Sequence, residues 1–308
     1  MLREVIAHAG GASAKVALFP TASSIPEELA PLYETIFHKL GAEVRTVWIE
    51  ARNDAEDPDK LRLLDDVTAI FFTGGSQGRI VTMLGGTAMA QAIRRAHRMG
   101  VVVAGTSAGA SVVCDHMIAQ GKKGYAPRRA SVTLAPGLGL TKRLVIDQHF
   151  AQRHRIGRLF AAVAMNPFLI GVGIDEDTAI TLDANNRLGV LGRGTVTIVD
   201  GARILHTDIH ETPVAEPAAL LGLSVHVLTR GCGFDIDSRV PTWVGQGPRR
   251  RDEIARAPLV LDGSEAGAPP RSPAPAVEPA PAPASDPALA PAVEPAPTPT
   301  PTPSKERP

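Results

Sequence analysis

The chain has 308 residues, 44% of them hydrophobic and 21% charged, enough apolar content to bury a sizeable core as one large α/β domain or two smaller ones. Its formal net charge is zero, which gives no global argument for a nucleic-acid or membrane partner. Only two cysteines occur, Cys114 and Cys232, without metal-ligand spacing. They read as buried thiols in a reducing compartment, and with no bilayer-length apolar run and no signal peptide the expected location is the cytoplasm.

In chain order, Met1 to Ala9 reads as helix, with Leu2, Val5 and Ile6 on one face and Gly10-Gly11 ending it. Val16 to Phe19 is a short apolar strand closed by Pro20. From Pro26 to Leu40, the residues Leu29, Leu32, Ile36, Phe37 and Leu40 repeat at helical spacing. A strand follows over Val44 to Ile49, a short helix over Asp59 to Leu64, and a strand over Val67 to Phe72 that runs into Thr73-Gly74-Gly75-Ser76-Gln77-Gly78. Thr87 to Met99 is a helix and Val101 to Ala104 a fourth strand. Apolar strands alternating with helices predict a parallel sheet covered on both faces, with ligands gathered beyond the carboxyl ends of the strands.

Further on, Leu144 to Ile146 and Leu169 to Ile174 read as strands of the same kind, separated by a helix opening near Gln152 and running to Met165. Then the pattern changes. Ala179 to Leu182, Leu188 to Leu191 and Val196 to Val199 alternate with Asn185-Asn186 and Arg193-Gly194, which is hairpin chemistry, and Leu223 to Leu228 adds another strand. An antiparallel extension on the edge of the first sheet is expected. Fifteen of the 27 prolines fall in residues 269–308, where the run Pro275 to Pro281 recurs at 291–297. Alternating Pro and Ala builds no core, so the expected division is a domain over 1–262 and a solvated, extended tail over 263–308.

The chemistry gathers at Gly105-Thr106-Ser107-Ala108-Gly109. Strand, Gly-x-Ser-x-Gly, helix is the setting of a nucleophile elbow, with the helix expected near Ser111. A sharp turn lifts the Ser107 hydroxyl clear of the sheet, and the Ala108 amide then faces a developing oxyanion. A serine nucleophile needs a base, and the base needs an acid to orient it. His149 follows a strand end at the elbow's side of the sheet; Asp175, Glu176 and Asp177 follow another, and all three qualify as the acid. The order serine, histidine, acid differs from the α/β-hydrolases and argues against a lipase of that fold. Arg153, Arg155 and Arg158 trail the base, and their forked guanidinium groups suit an acidic substrate.

Four motifs then resemble the cyanophycinases, serine peptidases related to aspartyl dipeptidases. They are Thr73-Gly74-Gly75-Ser76-Gln77, the elbow through Ser111, Asp147-Gln148-His149-Phe150 with its arginines, and Gly173 to Ala179. The resemblance spans roughly residues 1–240 and implies a sheet like that of the class I glutamine amidotransferases, flavodoxin-like in its winding. It implies Ser107 as nucleophile, His149 as base and Glu176 as orienting acid, with the Gly75 and Ala108 amides as oxyanion hole. Gln77, Asp147, Gln148, Arg153, Arg155 and Arg158 fall at substrate-binding positions. The implied reaction is hydrolysis of cyanophycin, a poly-aspartate backbone whose side chains carry arginine, to β-Asp-Arg dipeptides, without metal or organic cofactor. An aspartyl dipeptidase and an inactive homologue that binds acidic polymer are the alternatives. The sequence leaves oligomeric state open, a homodimer included. Family members usually open with an additional strand and a Gly-Gly turn, whereas this chain starts inside the first helix, so the resemblance also implies that a strand, at the edge or the centre of the sheet, is missing.

Overall fold

In the first half of the chain each parallel strand is followed by a helix that packs back on the sheet. In a computed structural model of the chain, residues 1–243 and 259–262 are described, all within the unit Met1–Ala268. The Pro/Ala-rich tail expected over 263–308 lies outside the described residues. The first half runs α1 (Leu2–His8), β1 (Lys15–Phe19), α2 (Pro26–Lys39), β2 (Glu43–Thr46), α3 (Pro58–Arg62), β3 (Ala69–Phe72), α4 (Gln77–Leu84), α5 (Ala88–Arg98), β4 (Val102–Thr106) and α6 (Ala108–Ser111). Helix α2 opens on Pro26 with Glu27 and Glu28 in its first turn and closes on His38 and Lys39, both favourable to its dipole. Helix α4 was hidden within the Gly-rich motif. The Ser76 hydroxyl caps it by accepting the Arg79 N–H at 3.2 Å.

Strands β2, β1, β3 and β4 pair in parallel in that spatial order. Their side chains alternate between two covered faces, which is why the runs are apolar throughout. Val16, Leu18, Phe71 and Val102 pack with Tyr33 and Phe37 of α2, and Val5 and Ile6 of α1. Ala17, Phe19, Ile70, Phe72 and Val103 pack with Ile80, Leu84, Met89 and Ile93 of α4 and α5.

The second half contains β5 (His116–Gly121), β6 (Val132–Pro136), β7 (Leu144–Gln148), α7 (Ile156–Met165), β8 (Ile170–Ile174), β9 (Thr178–Leu182), β10 (Arg187–Gly192), β11 (Val196–Asp200), β12 (His206–Thr207), β13 (Leu220–Leu221), β14 (Ser224–Leu228), β15 (Gly233–Asp235), β16 (Val240–Thr242) and β17 (Leu259–Asp262). The α/β class and the parallel sheet stand, but the strands divide differently from the sequence-based expectation. Strands β7 and β8 are parallel to each other yet do not join β1 to β4; they form a separate sheet ordered β14-β11-β8-β7. The physical reason is a double layer of burial. On one face Ile146, Val172 and Ile174 enter the same core as Phe72 and Val103. On the other, Val145 and Val199 pack on Leu159, Ala162 and Val163 of α7. The antiparallel extension splits accordingly: β9, β10, β15 and β16 lengthen the first sheet, whereas β11 and β14 complete the second. The switch occurs near Gly192, whose φ of +106° and a Cβ position only 2.2 Å from the Asp177 carbonyl admit glycine alone.

No gap interrupts the larger sheet, which is ordered β16-β15-β10-β9-β17-β4-β3-β1-β2. Its central place is taken by β17, parallel to β4 with Leu261 opposite Gly105 and antiparallel to β9 with Leu261 opposite Ile180. A segment late in the chain thus occupies the position between β4 and β9.

Candidate active site

Strand β4 ends at Thr106 and α6 starts at Ala108, so one residue makes the whole turn. That residue is Ser107, held at φ 52° and ψ −110°, a sparsely populated conformation for a residue with a side chain. The two glycines of the motif follow from close approach. A Cβ on Gly105 would stand 2.4 Å from Gly109, and a Cβ on Gly109 would stand 2.4 Å from the Phe72 carbonyl oxygen. The helix begins directly after the nucleophile rather than near Ser111, and it is only four residues long. Electrostatic assistance therefore comes from individual amides more than from a macrodipole. Ala108 is at the first helical position, whose N–H has no intrahelical acceptor.

The Gly-rich loop after β3 lies against the elbow, since a Cβ on Gly74 would sit 3.4 Å from Ser107 Cβ. Gly75 has φ 137° and a Cβ position 2.1 Å from the Ala22 carbonyl oxygen, so no other residue fits there. Its amide has no hydrogen-bond partner among the described residues.

His149 follows β7 at φ 51° and is 1% exposed. The Ser111 hydroxyl donates to the Ile146 carbonyl at 3.0 Å and ties α6 to β7, which fixes the nucleophile relative to the base. His149 Nε2 lies 2.9 Å from Ser107 Oγ, and Nδ1 lies 2.9 Å from Glu176 Oε1. An ionised carboxylate only accepts, so Nδ1 carries the proton and Nε2 is left to accept from the serine hydroxyl. The relay is dry at the serine, which is 8% exposed, and wetter at Glu176, whose side chain is 48% exposed.

The three adjacent carboxylates separate cleanly. Glu176 alone reaches His149. Asp175 turns inward and accepts from the Ala151 amide at 3.0 Å, the Thr195 amide at 3.1 Å and the Thr195 hydroxyl at 2.6 Å, which pins the β8 loop to its surroundings. Asp177 occupies the turn at φ 54°. Gln152 contributes too, its side-chain oxygen accepting the Glu176 amide at 3.2 Å. Ser111 closes the elbow motif, but its tie to β7 is not readable from it, and Gln152 and Thr195 carry no recognisable sequence signal; each acts through a partner distant along the chain.

The residues expected to meet substrate are brought to one corner, but mostly bonded to each other. Asp147, fully buried, accepts from Arg158 Nε at 2.6 Å, from Arg158 Nη2, and from Arg155 Nη1 at 3.1 Å. Arg155 also donates to the Gln148 side-chain oxygen at 2.6 Å and to its carbonyl. Burial draws the Arg155 pKa down to about 10, with Arg158 and Arg153 adding repulsion and Asp147 opposing them, so it stays cationic at neutral pH. Arg153 lies exposed in the turn before α7. Gln77 starts α4 and donates to the Ile118 and Ala119 carbonyls at 2.9 and 3.2 Å, linking the Gly-rich loop to β5. Among the described residues no three His, Cys, Asp or Glu side chains gather as metal ligands.

A serine at a strained elbow, joined through imidazole to a carboxylate on an α/β scaffold, is the equipment of a serine peptidase. The chain belongs to Peptidase family S51, whose pattern matches residues 1–187. A cyanophycinase of Geminocystis herdmanii (strain PCC 6308) is 38% identical over 235 residues, 76% of this chain and 86% of that protein. A cyanophycinase of Synechococcus elongatus is 40% identical over 230 residues, 74% of this chain and 71% of its own length. The fold is also that of a crystallised peptidase from an acI-B1 actinobacterium, with a TM-score of 0.56 at 24% identity, covering 76% of this chain and 88% of that one.

Proposed function

We propose that this chain is a cyanophycinase, a serine exopeptidase that hydrolyses cyanophycin to β-Asp-Arg dipeptides. The observation that carries the reading is the unbroken relay from Ser107 through His149 to Glu176, with both hydrogen bonds at 2.9 Å. The choice of substrate leans on the relatives, which carry the name cyanophycinase over most of their length.

In this reading His149 Nε2 takes the Ser107 proton as Oγ attacks the carbonyl of a β-linked aspartyl residue. The oxyanion accepts from the Gly75 and Ala108 amides, each such donor being worth roughly 2.7–4 kcal/mol in the transition state. Glu176 stabilises the imidazolium, which then protonates the leaving nitrogen. Water, deprotonated by His149 in turn, releases the acyl group. Gln77 and Arg153 contact the substrate directly. Asp147, Gln148, Arg155 and Arg158 meet it as one preorganised ionic unit, because each already holds another. The two cysteines are free thiols, and no described helix is long and apolar enough to cross a membrane. We assign the cytoplasm on the thiols.

The test is incubation of the full chain with cyanophycin, followed by mass spectrometry of the soluble products. β-Asp-Arg dipeptides are expected. Cleavage of free aspartyl dipeptides but not polymer would make the chain an aspartyl dipeptidase. Retention of polymer without release of any product would make it a binding homologue.

A further inference from the structure

Behind the ionic corner lies a cavity of about 490 Å³, within the size range of small-ligand sites. We propose that this cavity, walled by Lys122, Lys123, Tyr125, Arg128, Ser131 and Arg158, is a second subsite that takes the carboxylates of an acidic peptide. The proposal deepens the peptidase reading and rests on it for the idea that the peptide is substrate.

Charge is the first argument. Four of the lining residues are cationic and none is acidic. Arg158 shares the single charge of buried Asp147 with Arg155. Lys122 and Lys123 make no ion pair or side-chain hydrogen bond among the described residues. Arg128 donates to the Ala215 carbonyl, a neutral acceptor that leaves its charge uncompensated. Three like charges around one concavity repel each other and focus the field on whatever enters, which favours anions.

Rigidity is the second. The loop that carries the cations is fastened at each step. The Lys122 amide donates to the Ser131 carbonyl at 2.9 Å, the Gly124 amide to the His154 carbonyl at 2.8 Å, and the Gly157 amide to the Gly124 carbonyl at 2.9 Å. A Cβ on Gly157 would stand 2.5 Å from the Ala126 carbonyl oxygen, so glycine allows the loop to lie against the start of α7. A wall held this way loses little freedom when a ligand binds.

Continuity is the third. Arg158 forms the cavity wall on one side and grips Asp147 on the other, two residues before His149. In the cyanophycin chain proposed to engage Ser107 the aspartate side chains are amidated, each attached arginine carries a free carboxylate along with its guanidinium, and separated cations along a fixed wall suit the row of carboxylates.

The test uses the full chain carrying Ser107→Ala, so that nothing is turned over, and a fluorescein-labelled oligo-aspartate read by fluorescence anisotropy. The double substitution Lys122→Ala/Lys123→Ala should weaken binding by about tenfold or more and flatten its salt dependence. Arg128→Ala should act in the same direction. A control that removes the same charge elsewhere, Arg3→Ala/Lys39→Ala, should change affinity by less than about twofold. An equal loss in both pairs, or a loss below about twofold in the lysine pair with an unchanged Tm, overturns the site. Unlabelled aspartate, which offers carboxylates without a chain, should compete about a hundredfold less well than unlabelled oligo-aspartate; equal competition overturns a peptide subsite. A fluorophosphonate, applied to the chain with Ser107 intact, separates the two readings. Labelling together with lysine-independent peptide binding removes the subsite and leaves the peptidase. Absent labelling together with lysine-dependent binding removes the peptidase and leaves an anion-binding cavity.

Discussion

Ser107 and His149 both stand at positive φ, 52° and 51°, directly after a buried parallel strand, yet the two positions are built by different means. At the elbow the backbone is fixed by exclusion: Gly105, Gly109 and Gly75 are present because any side chain would collide with main chain. At the histidine corner the backbone is fixed by attraction. Arg155 and Arg158 close on Asp147, and Asp175 gathers three donors from Ala151 and Thr195. The first construction is steric and local. The second is ionic and joins residues from several elements. A steric site tolerates changes of charge and fails on added volume; an ionic one does the reverse.

The largest expected effect tests the elbow itself. Ser107→Ala should lower turnover by about 10⁶-fold while leaving Tm and substrate affinity largely intact. Residual activity above a few per cent would remove Ser107 from the nucleophile's role. Next, Glu176→Gln should cost about 10⁴-fold in kcat, the typical effect of disturbing the imidazole tautomer. Asp175→Asn should instead lower Tm, because an amide offers only one acceptor oxygen to three donors. A greater loss of kcat for Asp175→Asn than for Glu176→Gln would mean that the acid has been misassigned.

The ionic corner comes third. Arg158→Ala leaves Asp147 buried with part of its compensation gone, and breaking such a pair typically costs about 3–5 kcal/mol. Arg158→Lys should recover only a fraction, since an ammonium cannot bridge both oxygens. If both variants keep the parent Tm and change only KM, Arg158 serves substrate rather than architecture. The smallest effect is a null one. Burial lifts the Cys114 thiol to about 12, so in the folded chain at neutral pH it should resist iodoacetamide while Cys232 reacts. Peptide mapping after alkylation decides it, and modification of Cys114 would show that the elbow side opens more than its packing implies.

Legibility in sequence follows the same division. The elbow, the Gly-rich loop and the strands leading to them were readable because close approach demands glycine, and burial on both faces demands unbroken apolar runs. Helix α4 was not, since Gln77-Gly78 after two glycines reads as loop until the Ser76 cap is seen. The hairpin of β5 and β6 escaped because His116, Gln120 and Gly121 interrupt any alternation. Nothing in Leu144 to Ile146 or Leu169 to Ile174 distinguishes a strand of the first sheet from one of a second; the separation arises from pairing with β11. Three neighbouring carboxylates qualified equally from the residues alone, and the resemblance to cyanophycinases, rather than any local signal, pointed to Glu176. Reading Arg155 and Arg158 as substrate forks took no account of Asp147 as their partner, although it lies only eight and eleven residues away.

Strand β17 has a consequence for synthesis. It pairs with β4 and β9, both made much earlier. Until Leu259–Asp262 leaves the ribosome, β4, the strand that leads to Ser107, is an open edge, and so is β9. Two unpaired edges on a nascent chain invite pairing with other chains. The join also has high contact order, which makes it slow to form. Between the synthesis of Glu176 and that of Leu259–Asp262 the polypeptide thus carries all its catalytic side chains on an unfinished sheet. Activity should appear late and abruptly, once the four residues slot between the two halves.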